Sequence, residues 1–354
     1  MPLIPLYGHD ALRTRLAAQA ADGTLPASLL LHGAAGIGKQ RLALWLGQVL
    51  LCEAVGERPC GLCQDCRYSL LLQHPDLRWF FPRPRAALGA DPALEAVQAD
   101  YEEEIKKRVG ANGLYPRPDG SAGIFIHVTR LLVRLASRTP ALARRKVFVF
   151  GDAERLVPQA ANPEAANALL KLLEEPPNDT TLILTSSEPG LLLPTIRSRV
   201  VALRMPRLSE GAMRKFVTDP FAQAALPNQL PADLLRVANG APGTLIGASD
   251  RTAPVTRARQ LLAAADGGRE QILRAAFTAG TSKSRGAFSD VLDALTVLLH
   301  ERARDATARD DERAARRAVK AVPAVEEAKR SAEGNVNPQL ITAQLLDRLS
   351  GGGR

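Results

Sequence analysis

The sequence predicts an α/β fold, a parallel sheet with helices on both faces, that gives way to an all-helical second half. Three observations predict it. A strand, a glycine-rich turn and a helix follow one another between residues 28 and 50. Apolar strand-like runs then alternate with helical patterns up to about residue 205, and strand signals disappear beyond residue 206. With 354 residues, 46% hydrophobic and 23% charged, the chain has length for two to three domains, and neither wholesale disorder nor a disulfide-stapled mini-protein fits it. No apolar run approaches the ~18 residues of a membrane span, and MPLIPLYGHD lacks the basic and long apolar segments of a signal peptide, so a cytoplasmic location is expected.

In order along the chain, Leu12 and Leu16 stand one turn apart in a helix expected near 10–22, ended by Asp22-Gly23. Ser28-Leu29-Leu30-Leu31 reads as a short strand. GAAGIGKQ at 33–40 follows, then a helix through Leu42, Leu46, Val49 and Leu50. Residues 82–123 read as an insertion, a lone helical pattern of Leu94, Val97, Tyr101 and Ile105 between loop-like flanks rich in Pro and Gly. Within it Glu102 and Glu103 precede Lys106 and Lys107 by four residues each, which predicts a solvated surface helix. A helix over about 127–139 leads to the buried parallel strand Val147-Phe148-Val149-Phe150.

Asn162 and Pro163 open the next helix, whose stripe Ala166, Leu169, Leu170 and Leu173 runs to Glu175 before Pro176-Pro177 stops it. A strand at 181–185, a short helix from Pro194 to Arg199 and a strand at 200–203 complete the alternation. Beyond 206 the patterns are helical: Met213, Phe216 and Val217; Leu234, Leu235 and Val237; Val291 to Leu299; and Leu340 to Leu349 after Asn337-Pro338. The divisions expected are 1–205, 206–250 and 251–354.

All four cysteines lie in one 15-residue window as Cys52, Cys60, Cys63 and Cys66. Zinc takes four soft ligands in a tetrahedron, and C-x2-C turns bring pairs of thiolates to one ion. Two disulfides or four unrelated thiols are the alternatives; a reducing cytosol disfavours the first and the tight spacing the second. With four thiolates in the shell no open position remains for water, so the expected Zn2+ is structural. His74, in His74-Pro75-Asp76, reads as a loop residue rather than a fifth ligand. The net charge of +9 divides as +4 over 1–205 and +5 over 206–354, which marks no basic face and weighs against a zinc-dependent nucleic-acid binder.

GAAGIGKQ matches G-x-x-x-x-G-K, in which Gly33, Gly36, Gly38 and Lys39 would form a phosphate cradle at a helix N-terminus. The next residue ordinarily supplies a hydroxyl to magnesium, and Gln40 has none. The four-cysteine module directly after the P-loop helix, AANALLKLLEEPP at 165–177, LILTSSEP at 182–189 and TIRSRV at 195–200 together resemble the AAA+ clamp-loader family of bacterial DNA polymerase III. The resemblance implies a P-loop AAA+ domain (1–205) carrying the zinc module (52–66) and the insertion (82–123), a small helical lid domain (206–250) and a helical oligomerisation domain (251–354).

It also implies a non-hydrolysing member of a hetero-pentameric ring with gamma/tau ATPase subunits and a delta subunit, acting on a sliding clamp and primed DNA. KVFVFGDAERL puts Gly151 and Asp152 where active relatives have Asp-Glu, and Gly243 stands at the sensor-2 arginine. Ser186 falls at the sensor-1 position. Hydrolysis by this chain is therefore not expected, while nucleotide binding stays open. Arg199 matches the arginine of the family's Ser-Arg-Cys motif, with Val200 in place of Cys, and is implied to reach a neighbour's ATP; Arg197 would contribute little. The alternative is an active motor of gamma/tau type, favoured by the intact Gly33, Gly38 and Lys39.

Overall fold

The structure, a computed structural model, describes residues 3–84, 92–115, 122–156, 164–226, 238–246, 252–277, 285–333 and 337–350. It divides into two compact units, Met1–Gln229 with Ala238–Ile246, and Leu230–Val237 with Gly247–Arg354. The expected caps Asn162 and Pro163, the pattern Leu234 to Val237 and the outer flanks of the insertion at 85–91 and 116–121 lie outside the described residues.

The first unit is built on five parallel strands in the order β2-β3-β4-β1-β5: β1 Ser28–His32, β2 Leu77–Phe80, β3 Lys146–Phe150, β4 Thr180–Ser186 and β5 Val201–Arg204. β3 and β4 are buried at every position, as strands covered on both faces must be. The helices are α1 Asp10–Ala21, α2 Lys39–Leu51, α3 Gln64–Leu70, α4 Leu94–Gly110, α5 Ile126–Ala136, α6 Glu164–Glu174, α7 Pro194–Arg197, α8 Glu210–Thr218 and α9 Pro220–Ala225. Leu16, Leu29, Leu42, Leu46, Val147, Val149, Leu182 and Ile183 are all sealed from solvent at the centre of one core. β2 and α3 have no counterpart in the sequence expectations. β2 has only four residues, with Arg78 interrupting the apolar run, and it sits at the sheet edge beside β3.

The second unit is helical among its described residues: α10 Thr252–Asp266, α11 Arg269–Phe277, α12 Arg285–Ala308, α13 Glu312–Glu333 and α14 Pro338–Leu349. Its core unites Leu261, Leu262, Leu292, Leu295, Val325, Ile341 and Leu346. Asn337 caps α14 by accepting the Gln339 N–H at 2.9 Å, with Pro338 at the first helical position. No described helix is long and apolar enough to cross a membrane.

Candidate functional site

The four cysteines converge. Their sulfurs all lie within 4.8 Å of one another, with Cys60–Cys66 at 4.0 Å and Cys63–Cys52 at 3.9 Å. A tetrahedral ion with ~2.3 Å metal–sulfur bonds has sulfur–sulfur edges of about 3.8 Å, so this set fits one metal ion. Backbone N–H groups of Leu62 and Cys63 point at the Cys60 sulfur (3.5 and 3.3 Å) and pull that thiol down to about 6, whereas burial pushes the Cys63 and Cys66 thiols up. His74 is not among the ligands. It is buried, accepts the Asp76 N–H at Nδ1 and so donates from Nε2 to Asp65 of α3 at 3.0 Å. It anchors the knuckle helix to the segment entering β2. Asp76 in turn accepts the N–H groups of Ala141, Leu142 and Ala143 at 2.7–2.8 Å, fixing the approach to β3.

The P-loop joins β1 to α2. Gly36 stands at φ +77°, where L side chains are strained. The Lys39 ammonium, which a bound phosphate would draw to itself, donates to Gly33 O at 3.0 Å, Ala34 O at 2.9 Å and Ser187 Oγ at 2.9 Å. Burial, then the charges of Arg204 and Lys39, hold the His32 imidazole below its ordinary range. Ser186 is buried and its Oγ accepts the Glu188 N–H at 3.1 Å. The hydroxyl that reaches the lysine belongs to the next residue, Ser187, whose N–H goes to Glu154 at 2.9 Å.

Gln40 is the centre of a network that the sequence does not reveal. Its Oε1 accepts from Trp79 Nε1 and from the Tyr115 hydroxyl, both at 2.9 Å, and its Nε2 donates to Asp152 at 3.1 Å. A Cβ at Gly151 would lie 2.4 Å from Gln40 Oε1. The two positions are complementary: the long amide fills the space that a side chain at residue 151 would need. The fold implies magnesium beside such a cradle, and residues 40 and 151 do not supply it a ligand; the carboxylate beside them, Asp152, is held by the Gln40 amide. The one oxygen at residue 40 already accepts two hydrogen bonds, and residue 151 offers none from a side chain.

Gly243, where the resemblance expects a sensor-2 arginine, packs backbone to backbone against the P-loop. Gly243 donates its N–H to Gly36 O at 2.8 Å, and a Cβ at Gly243 would lie 2.9 Å from Gly36 Cα.

The insertion helix α4 has the exposed charges expected at Glu102, Glu103, Lys106 and Lys107, but its other face is a working part of the core. Tyr101 donates to Phe81 O at 2.6 Å. Arg108 is buried, its guanidinium 3.4 Å from the Phe81 ring centre and 3.9 Å from that of Tyr115, the ring whose hydroxyl holds Gln40. The insertion thus reaches the Gln40 network beside the P-loop.

Arg199 follows α7 and meets the C-terminal end of α6. Its Nε donates to Glu174 Oε1 at 2.9 Å with Nη2 on the same oxygen, and its Nη1 donates to Thr195 O at 2.9 Å and Ser198 Oγ at 3.2 Å. The side chain remains about a third exposed. Arg197 is exposed.

Residues 8–209 match the family model described as DNA polymerase III, delta subunit. The delta prime subunit of Pseudomonas aeruginosa is 34% identical over 220 residues, 61% of this chain and 53% of that protein. The tau/gamma subunit of Haemophilus influenzae is 24% identical over 241 residues, 68% of this chain and 29% of that one. A DNA polymerase III gamma subunit-related protein of Thermotoga maritima aligns in structure over 95% of this chain and 98% of its own, at 16% identity and a TM-score of 0.42. The chain spans about half the length of the delta prime relatives it matches. With more than half of its residues under one family model, and delta prime subunits 27–34% identical over 186–221 residues, this chain is a member of the DNA polymerase III delta subunit family, of delta prime kind.

Proposed function

We propose that the chain is a non-hydrolysing AAA+ subunit of the DNA polymerase III clamp loader, assembled with gamma/tau ATPase subunits and a delta subunit in a hetero-pentameric ring that places the sliding clamp on primed DNA. In this reading residues 1–205 form the AAA+ domain, 206–250 the lid and 251–354 the oligomerisation domain, and the protein works in the cytoplasm. The observation that supports it is Gln40 lying over Gly151 with its oxygen doubly hydrogen-bonded, so that neither residue 40 nor residue 151 offers a side-chain oxygen free for magnesium. The chemistry the subunit contributes is Arg199, a guanidinium delivered to the ATP of a neighbouring ATPase subunit, where it stabilises charge on the transferring phosphoryl group. The motor alternative rests on Gly33, Gly38 and Lys39, but the ammonium of Lys39 is engaged by the loop's own carbonyls.

Two measurements test this. The purified chain is expected to show no ATP turnover of its own and to raise that of the ATPase subunit; turnover by the chain alone that vanishes in Lys39→Ala overturns the reading. The metal is Zn2+ held by Cys52, Cys60, Cys63 and Cys66 as a structural ion. Reduced protein should contain one equivalent of zinc, and chelation should loosen residues 52–66 while the α/β core stays folded. Less than about half an equivalent would count against the zinc assignment.

A further inference from the structure

We propose that Glu174 is a positioning residue that stows Arg199 against its own subunit until a neighbour's phosphates compete for it; this rests on the trans role of Arg199 proposed above. Each nitrogen of the guanidinium already has a partner within the chain. Nε and Nη2 are on the Glu174 carboxylate, and Nη1 is on Thr195 O and Ser198 Oγ. A guanidinium carries five N–H groups, and four of them are directed at these acceptors, so a bidentate grip on phosphate cannot form without giving up part of this set. Glu174 ends α6 and Arg199 follows α7, so the pair ties together two elements that pack on one another.

The carboxylate has a second effect. An anion fixed on the Nε edge of the arginine repels the anionic phosphate that the same guanidinium must approach. Both partners are partly open to solvent, at 32% and 46% exposure, which makes the pair weak and therefore reversible. A weak stow is what an exchange needs, since the arginine must leave when the neighbour carries ATP and return when it does not. The apparent affinity for the engaged state is reduced by the fraction of time that the arginine is released, and removing the competing carboxylate removes that reduction.

The test uses the reconstituted clamp loader, with ATP turnover measured against ATP concentration for the parent, Glu174→Gln, Arg199→Ala and the double variant. Glu174→Gln keeps the size of the side chain and removes its charge. It is expected to raise kcat/KM about threefold, the scale of an exposed ion pair, with the unfolding temperature of the isolated chain unchanged within a degree or two. In the Arg199→Ala background the same substitution is expected to do nothing. A fall in kcat/KM with Glu174→Gln, no change, or a rise that persists without Arg199 overturns the stowing role while leaving the trans role of Arg199 standing. No loss of turnover in Arg199→Ala overturns both.

Discussion

The P-loop and the end of α7 handle their charged groups in opposite ways. Around the P-loop, Lys39 and Gln40 are committed to partners inside the chain: two carbonyls and a hydroxyl for the ammonium, an indole, a phenol and a carboxylate for the amide. Breaking any of these leaves a partly buried polar atom without a mate, which costs on the order of 1–3 kcal/mol. At the end of α7, Arg199 and Glu174 hold each other in partial contact with water, where an ion pair contributes roughly 0–1 kcal/mol. The first region therefore behaves as a structural joint, while in the second a charged group can change partners at small cost. On the function proposed here, the subunit would keep the P-loop for its geometry and its chemistry at the end of α7.

The largest effect expected from disturbing this contrast is at Gly151. Gly151→Asp forces the Gln40 amide aside, orphans the Trp79 and Tyr115 donors and sets two carboxylates side by side, so urea unfolding should show a loss of about 2–3 kcal/mol with no gain of ATP turnover. Stability equal to the parent would mean that the amide network does not hold the joint. Next in size is Arg199→Ala. The isolated chain should lose less than about 1 kcal/mol, whereas turnover by the assembled loader should fall in part, since other interfaces of the ring keep their own arginines. A destabilisation as large as that of Gly151→Asp would make Arg199 a structural residue and erase the distinction. The smallest effect is expected for Arg197→Ala, an exposed position on α7, where both stability and loader turnover should stay near the parent's.

What could be read from sequence follows the range of the interactions. The cysteine cluster was legible because its four ligands lie within 15 residues, and the strand–turn–helix of the P-loop because its glycines are adjacent. β3, β4 and α6 announced themselves by long apolar patterns; β2 did not, because four residues with Arg78 among them carry little period. The Gln40 network was invisible for a different reason. Its partners Trp79, Tyr115 and Asp152 lie 39, 75 and 112 residues away, and only the fold unites them. The absence of a hydroxyl at residue 40 and of a carboxylate at 151 showed as two separate losses, when they are the two halves of one fit. Arg108, next to the charge run of Glu102, Glu103, Lys106 and Lys107, drew no reading of its own, since nothing local tells a caged arginine from an exposed one.

The contact between Gly36 and Gly243 bears on the evolutionary routes open to such a protein. The two backbones meet so closely that any side chain at 243 displaces the turn that carries it, just as any side chain at 151 displaces Gln40. On the proposed non-hydrolysing reading, a lineage with this arrangement would not regain a nucleotide-driven cycle one substitution at a time, because a side chain at residue 151 or 243 alone meets this crowding before any activity could return. The loss of hydrolysis proposed for this subunit would then be held in place by packing as well as by selection on the assembly around it.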